Sequence, residues 1–246
     1  MSDNKKYNKI AQGTIGKLLR TFPAIGKLLR NFSSKLVSEH YASFLVFLDD
    51  DAKNTYKLIR SIREENESLL LDLEAIQLLE CARSAQKING DYAEVGSFMG
   101  GSAKLICEAK GDRDLFLFDT FKGLPSPEKI DLKYGRGFFN GSRDFVSHYL
   151  LSYQNINVIK GIFPETAGTI ADHTFAFVHL DVDLYKSTLD CLEFFYPRIA
   201  PGGIILIHDY RHAEGVTLAV DNFFANKFEP VITLVGRYGL IIKNGT

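Results

Sequence analysis

Apolar positions change period along residues 67–243, and the changes mark out alternating elements. From Glu67 to Lys87 they return at helical spacing. Leu69, Leu70, Leu73, Ile76, Leu78 and Leu79, with Cys81 and Ala82, give a broad apolar face that predicts a helix closed by Asn89-Gly90. A short β-prone run, Tyr92-Ala93-Glu94-Val95, follows, then a Gly-rich turn from Gly96 to Ser102 and a helix from about Ala103. Further strands are predicted at Leu115–Phe118, Asn157–Lys160, Ala176–Leu180 and Ile204–Ile207. Helices are predicted near Arg143–Leu151, from Pro164, over Lys186–Arg198 and over Val216–Asn226. Two last strands, Val231–Val235 and Leu240–Lys243, flank the hairpin turn Gly236-Arg237-Tyr238-Gly239, so the final strand runs antiparallel. This order predicts an α/β fold: a doubly wound, mostly parallel, seven-stranded sheet with an antiparallel last strand and an N-terminal helical extension over residues 41–65. Residues 120–140 contain Gly and Pro and are too long for a plain connection, so they belong to a site or lid.

The stretch 176–210 organises the rest. Its two strands are joined by one helix, so they lie parallel and their carboxyl ends share one sheet edge. Asp181, Asp183, His208 and Asp209 follow those ends and should converge where ligands bind in open α/β sheets. Asp183 is read as a cap on the helix that begins at Lys186.

With 246 residues, 46% of them hydrophobic, the chain can bury a full core. A net charge of −1 gives no electrostatic basis for nucleic-acid binding. The charge is unevenly spread: residues 1–40 hold eight Lys or Arg against two Asp or Glu, and the remainder 21 against 28. That basic arm, residues 1–40, repeats Ile15-Gly16-Lys17-Leu18-Leu19-Arg20 as Ile25-Gly26-Lys27-Leu28-Leu29-Arg30 around Pro23. It is read as an extension packing on the body or on a second subunit, which leaves a homo-oligomer open, or as a segment for an anionic surface. Residues 41–246 form the folded domain. Cys81, Cys107 and Cys191 are scattered and odd in number, which favours reduced thiols and a cytoplasmic location. No apolar run is long enough to span a bilayer, and the arm's lysines and arginines interrupt every candidate signal-peptide core.

Three constellations carry chemistry. The Gly96–Ser102 turn lets a ligand approach backbone and helix N–H groups. Phe98, where a dinucleotide fingerprint needs its second glycine, argues against NAD, and Glu94 suits a cationic ligand. Asp119, which ends the second strand, is spaced to accept the hydroxyls of a ribose. Asp181, His208 and Asp209 together suit a divalent cation; carboxylates favour Mg²⁺, and the imidazole moves the preference toward Mn²⁺, Fe²⁺ or Zn²⁺.

Several motifs carry a family resemblance, and they occur in order: Glu94-Val95-Gly96 with Gly100-Gly101-Ser102, Asp119 to Pro125, Lys160 to Thr166, His179 to Pro197 and Gly202-Gly203 to Tyr210. Over about residues 66–243 the chain resembles the macrocin O-methyltransferase (TylF/MycF-like) family of Rossmann-like class I S-adenosylmethionine enzymes. The resemblance implies that Glu94, Gly96 and Ser102 line the methionine part of S-adenosylmethionine, that Asp119 holds the ribose and that Gly161 borders the adenine. It implies Mg²⁺ (or Mn²⁺) on Asp181 and the acidic pair after strand 5, with Asp181 also the base and a sugar hydroxyl the acceptor. Two departures stand out. The family's Asp-Asp-Tyr reads His208-Asp209-Tyr210, and its C-terminal Trp is missing, with Arg237-Tyr238-Gly239-Leu240 in that hairpin. The expectation is therefore a metal-assisted O-methyltransferase. The alternatives are a metal-independent enzyme with His208 as base and a non-catalytic cofactor-binding module tethered by its arm.

Overall fold

A computed structural model describes residues 50–245, Leu132 excepted. The basic arm, its repeat and the domain boundary after residue 40 lie outside the described residues. The chain divides after Lys53, and the unit Asn54–Thr246 carries the fold.

Helices α1 (Asp50–Glu65), α2 (Asp72–Ser84) and α3 (Gly101–Lys110) alternate with strands β1 (Asp91–Val95) and β2 (Leu115–Asp119). They are followed by α4 (Arg143–Tyr149), β3 (Ile156–Lys160), β4 (Phe175–Leu180), α5 (Tyr185–Phe195), β5 (Ile199–Ile207), α6 (Glu214–Phe224), β6 (Ile232–Thr233) and β7 (Gly239–Ile242). The sheet runs β3-β2-β1-β4-β5-β7-β6. Pairing is parallel from β3 through β5, whereas β7 lies antiparallel to both β5 and β6. The expected doubly wound architecture with an antiparallel last strand is therefore present.

Because strand side chains alternate sides, each strand feeds two cores. Leu115 and Leu117 of β2 pack with Leu78, Leu79 and Ile106 from α2 and α3, whereas Phe116 and Phe118 pack with Leu192, Phe195 and Val220 from α5 and α6. Strands buried on both faces read as continuous apolar runs, which is why β2 and β4 were visible without alternation. None of the described helices is long and apolar enough to cross a membrane.

Three expectations shift. The helix expected from residue 67 begins only at Asp72, because the Glu74 carboxylate accepts the Leu71 N–H at 2.8 Å and fixes the start there. Residues 67–71 are non-helical. The helix expected from Pro164 is only a 3-10 turn, Ala167–Ile170, in a connection with few residues to spare before β4. Asp183 does not cap α5. The first helical amide, that of Tyr185, donates instead to Asp131 Oδ1 at 3.0 Å, while Asp183 adopts φ 59° and faces the cavity described next.

Candidate active site

Strand order reverses between β1 and β4, since the chain winds from β1 toward β3 on one side and from β4 toward β5 on the other. At that reversal the carboxyl ends splay and leave a crevice. Gly96 makes the approach possible: it sits at φ +95°, and a Cβ there would lie 1.8 Å from the Asp181 carbonyl oxygen. A cavity of about 310 Å³ opens above it. Gly96 and Ser102 line one end, Asp119 and Gly161 another, and Asp181, Asp183, His208, Asp209 and Arg237 a third.

Asp119 is held by the two loops beside it. Its Oδ2 accepts the Phe98 N–H at 2.7 Å and its Oδ1 accepts that of Phe121 at 2.6 Å. Burial raises its proton affinity, and the Glu94 and Asp181 charges add to this, against the pull of the two amides; the pKa lies above the ordinary value. Each oxygen keeps a further lone pair, so the carboxylate can still accept a pair of vicinal hydroxyls.

Glu94 stands apart from the expectation that it lines the cavity. Its carboxylate is fully buried below the floor, 2.8 Å from Nδ1 of His179, its register partner on β4. Glu94 is not among the residues that line the cavity.

The third end is an ion cluster. His208, 7% exposed, has Nδ1 3.0 Å from Asp181 Oδ1 and 3.6 Å from Asp209 Oδ1, and Nε2 3.6 Å from Glu74 Oε2. These nitrogens are not aligned as hydrogen-bond donors, so the attraction is that of close opposite charges. Burial disfavours the imidazolium, but Asp181, Glu74 and Asp209 reverse this and hold the pKa up to about 10. Burial likewise raises the Asp181 carboxyl, yet the His208 charge outweighs it and the pKa falls below the ordinary value. Asp183, half-buried beside Asp181 and Asp209, is pushed well up by desolvation and by those two charges.

Arg237 completes the cluster from the β6–β7 turn. Its Nε and Nη2 donate to the fully buried Glu74 carboxylate at 2.7 and 3.0 Å, and its Nη1 lies 3.2 Å from Asp209 Oδ1. The other Asp209 oxygen accepts the Tyr134 hydroxyl at 3.1 Å. Tyr134 comes from the long loop, and Asp131 fastens that loop by accepting the Tyr185 and Glu128 amides. Gly215 leaves room for this fastening, since a Cβ there would meet Asp131 Oδ1 at 1.9 Å.

These contacts test whether the expected donor set fits a divalent cation, and it does not. One Asp209 oxygen accepts the Tyr134 hydroxyl, and the other is ion-paired at 3.2 Å with the Arg237 guanidinium, a cation that offers a metal no lone pair. Among the described residues no three His, Cys, Asp or Glu side chains are grouped so as to hold a metal ion.

Sequence reasoning found Asp181, His208 and Asp209 together but missed Glu74, Asp131, Tyr134 and Arg237. Glu74 did leave a signal: it sits on the stripe of Leu70 and Leu78, where a carboxylate needs a buried cation. A loop tyrosine and a turn arginine leave none.

A sequence profile of the macrocin-O-methyltransferase (TylF) family matches residues 73–233. The chain is 31% identical over 143 residues to a tetracenomycin-C rhamnosyl 4'-O-methyltransferase of Streptomyces olivaceus, covering 51% of this chain and 55% of that protein. It is 29% identical over 154 residues to the mycinamicin III 3''-O-methyltransferase of Micromonospora griseorubida, covering 54% and 61%. The chain thus spans 55% to 61% of the length of these curated relatives. Among solved structures, the O-methyltransferase NovP superposes with a TM-score of 0.64 at 24% identity, covering 72% of this chain and 82% of that one. The calicheamicin methyltransferase CalS11 superposes with a TM-score of 0.59 at 18% identity, covering 79% and 93%. Both structures speak for the fold.

Proposed function

The chain belongs to the macrocin-O-methyltransferase (TylF) family, and on that premise we propose that it transfers the methyl group of S-adenosylmethionine to a hydroxyl of a sugar or related small molecule. The observation that carries this reading is the pairing of two carboxylates on one cavity: Asp119, held by two loop amides, and Asp181, partly exposed to the same space. A simple binding module has use for the first but not for the second. Two curated relatives are named for methylating sugar-linked compounds, and that supports the acceptor class.

Each residue then has a task. Asp119 accepts the two ribose hydroxyls through its remaining lone pairs. Gly96 and Ser102 lie along the methionine part, and Gly161 leaves space at the adenine end. Glu94, buried below, adds negative potential that favours a sulfonium. S-adenosylmethionine supplies a methyl on a positively charged sulfur; as the acceptor oxygen bonds to that carbon, the C–S electron pair returns to sulfur. The acceptor's hydroxyl proton passes to Asp181, and from there to water. Holding the two reactants in line supplies much of the rate. Tyr134 and the loop fastened by Asp131 keep water from the acceptor end. A cytoplasmic setting is supported by the free thiols Cys81, Cys107 and Cys191.

The test is incubation with deuteromethyl-labelled S-adenosylmethionine and a panel of free, nucleotide-linked and aglycone-linked sugars, read by mass spectrometry. Transfer to a hydroxyl, lost in Asp181→Asn, is the expected result. A protein that binds the donor and labels no acceptor, in a panel that a family enzyme does label, would overturn it.

A further inference from the structure

The ion cluster at the acceptor end goes further than this reading and rests on it. We infer that Arg237 supplies, from within the chain, the positive charge that a divalent cation would otherwise bring to the acceptor oxygen, so that this protein needs no metal.

Arg237 lines the cavity and is fixed rather than mobile. Glu74 grips two of its nitrogens at 2.7 and 3.0 Å, and Glu74 is itself tied to the Leu71 amide at 2.8 Å. The third nitrogen, Nη1, is left at 3.2 Å from Asp209 Oδ1, the oxygen that a cation shared with Asp181 would use. A guanidinium in that position repels a divalent ion and offers it no lone pair. His208 closes the other approach, 3.0 Å from Asp181 Oδ1. Between them the two side chains face Asp181, Asp209 and Glu74.

The two residues also coincide with the two places where the sequence departs from its family: an imidazole for the first acid after strand 5, and an arginine in the hairpin that lacks the usual Trp. A fixed guanidinium can do the electrostatic part of a metal's work, because it stabilises negative charge growing on the oxygen as its proton leaves. Asp181 remains the proton acceptor, so no atom or electron is unaccounted for without a metal.

The experiment is a Mn²⁺ titration followed by electron paramagnetic resonance. It uses the full chain as wild type, Arg237→Lys, Arg237→Met and the double variant His208→Asp/Arg237→Met, each checked for folding by circular dichroism. Wild type and Arg237→Lys should leave the free Mn²⁺ signal undiminished. The double variant, with three carboxylates and no local cation, should bind at least about tenfold more tightly. Chelator should leave wild-type turnover unchanged, while Arg237→Met should lose about 100-fold in turnover, the scale for one preorganised donor, with donor affinity kept within a few-fold. Tight Mn²⁺ binding by wild type, or turnover abolished by chelator and restored by Mg²⁺, overturns the inference. So does an Arg237→Met variant that turns over like wild type. The Mn²⁺ result stands without any acceptor, and calorimetry with S-adenosylmethionine separates failure here from failure of the methyl-transfer reading.

Discussion

Removing the Arg237 side chain should cost far more stability than an ordinary turn substitution. Glu74 is fully buried, and Arg237 Nε and Nη2 donate to it at 2.7 and 3.0 Å. Breaking a buried pair by deleting one partner costs about 3–5 kcal/mol, because the other charge is left stranded. Two features lower the figure here. The Arg237 side chain is 27% exposed, and Glu74 retains the Leu71 amide and the His208 ring at 3.6 Å. A loss of about 2–3 kcal/mol for Arg237→Met is therefore expected, just below that range. For a domain of this size each kcal/mol moves Tm by about 2–4 °C, so the melting temperature should drop by roughly 5–10 °C. The sign with pH follows from Glu74. Burial raises its pKa, but His208 and Arg237 overcome this and depress it far below the ordinary 4.5. Stability from a depressed carboxyl is present above its unfolded pKa and fades as the pH falls toward the folded one. The gap between wild type and variant should thus be full at pH 7 and narrow below about 4.5. Adding Glu74→Gln to Arg237→Met should recover part of the loss, since the stranded charge is gone. Differential scanning fluorimetry across pH reads all of this; a Tm drop under about 2 °C, or a double variant whose losses simply add, would refute the reasoning.

Three other outcomes are expected. Asp181→Asn should lower turnover by roughly 10²–10⁴, the range for a lost proton acceptor, with donor affinity largely kept in calorimetry; turnover within a few-fold of wild type would remove Asp181 from that role. Asp131→Ala deletes the acceptor for the Tyr185 and Glu128 amides, so it should cost about 1–2 kcal/mol in urea unfolding and expose residues 120–140 to limited proteolysis. His208 has its pKa raised from 6.5 to about 10 by the surrounding carboxylates, despite burial, so its contribution is fully present below pH 6.5 and fades as pH rises toward 10. The stability advantage of wild type over His208→Gln should shrink across that window, and an advantage that grows with pH would contradict the assignment.

The elements that could be read from the sequence were those whose signals are local. Continuous apolar runs gave β2 and β4, glycine turns gave the β1–α3 junction, and parallel crossover alone brought Asp181 beside His208 and Asp209. The errors share a cause as well. Apolar Leu69 and Leu70 continue the helical stripe of α2, but both line the cavity, and the helix waits for the Glu74 cap. Asp183 looked like a cap because it precedes a helix, yet Asp131, 54 residues away in the chain, takes that amide. Spacing also placed Glu94 at a ligand but could not show that His179 on the next strand turns its carboxylate below the floor. The metal expectation meets the same limit. Three ligand-type side chains converge as expected, but spacing could not show that Arg237 reaches Asp209 from the β6–β7 turn.

The central claim is that the cavity between β1 and β4 binds S-adenosylmethionine through Asp119, and calorimetry on wild type and Asp119→Ala tests it most directly. Wild type should bind S-adenosylmethionine and its demethylated product but not NAD. Asp119→Ala should lose about 1.5–3 kcal/mol of that binding, the scale for hydrogen bonds to a charged acceptor, with a wild-type circular dichroism spectrum and a cooperative melt showing that the fold is intact. No heat with wild type, or wild-type affinity in the variant, would contradict the account.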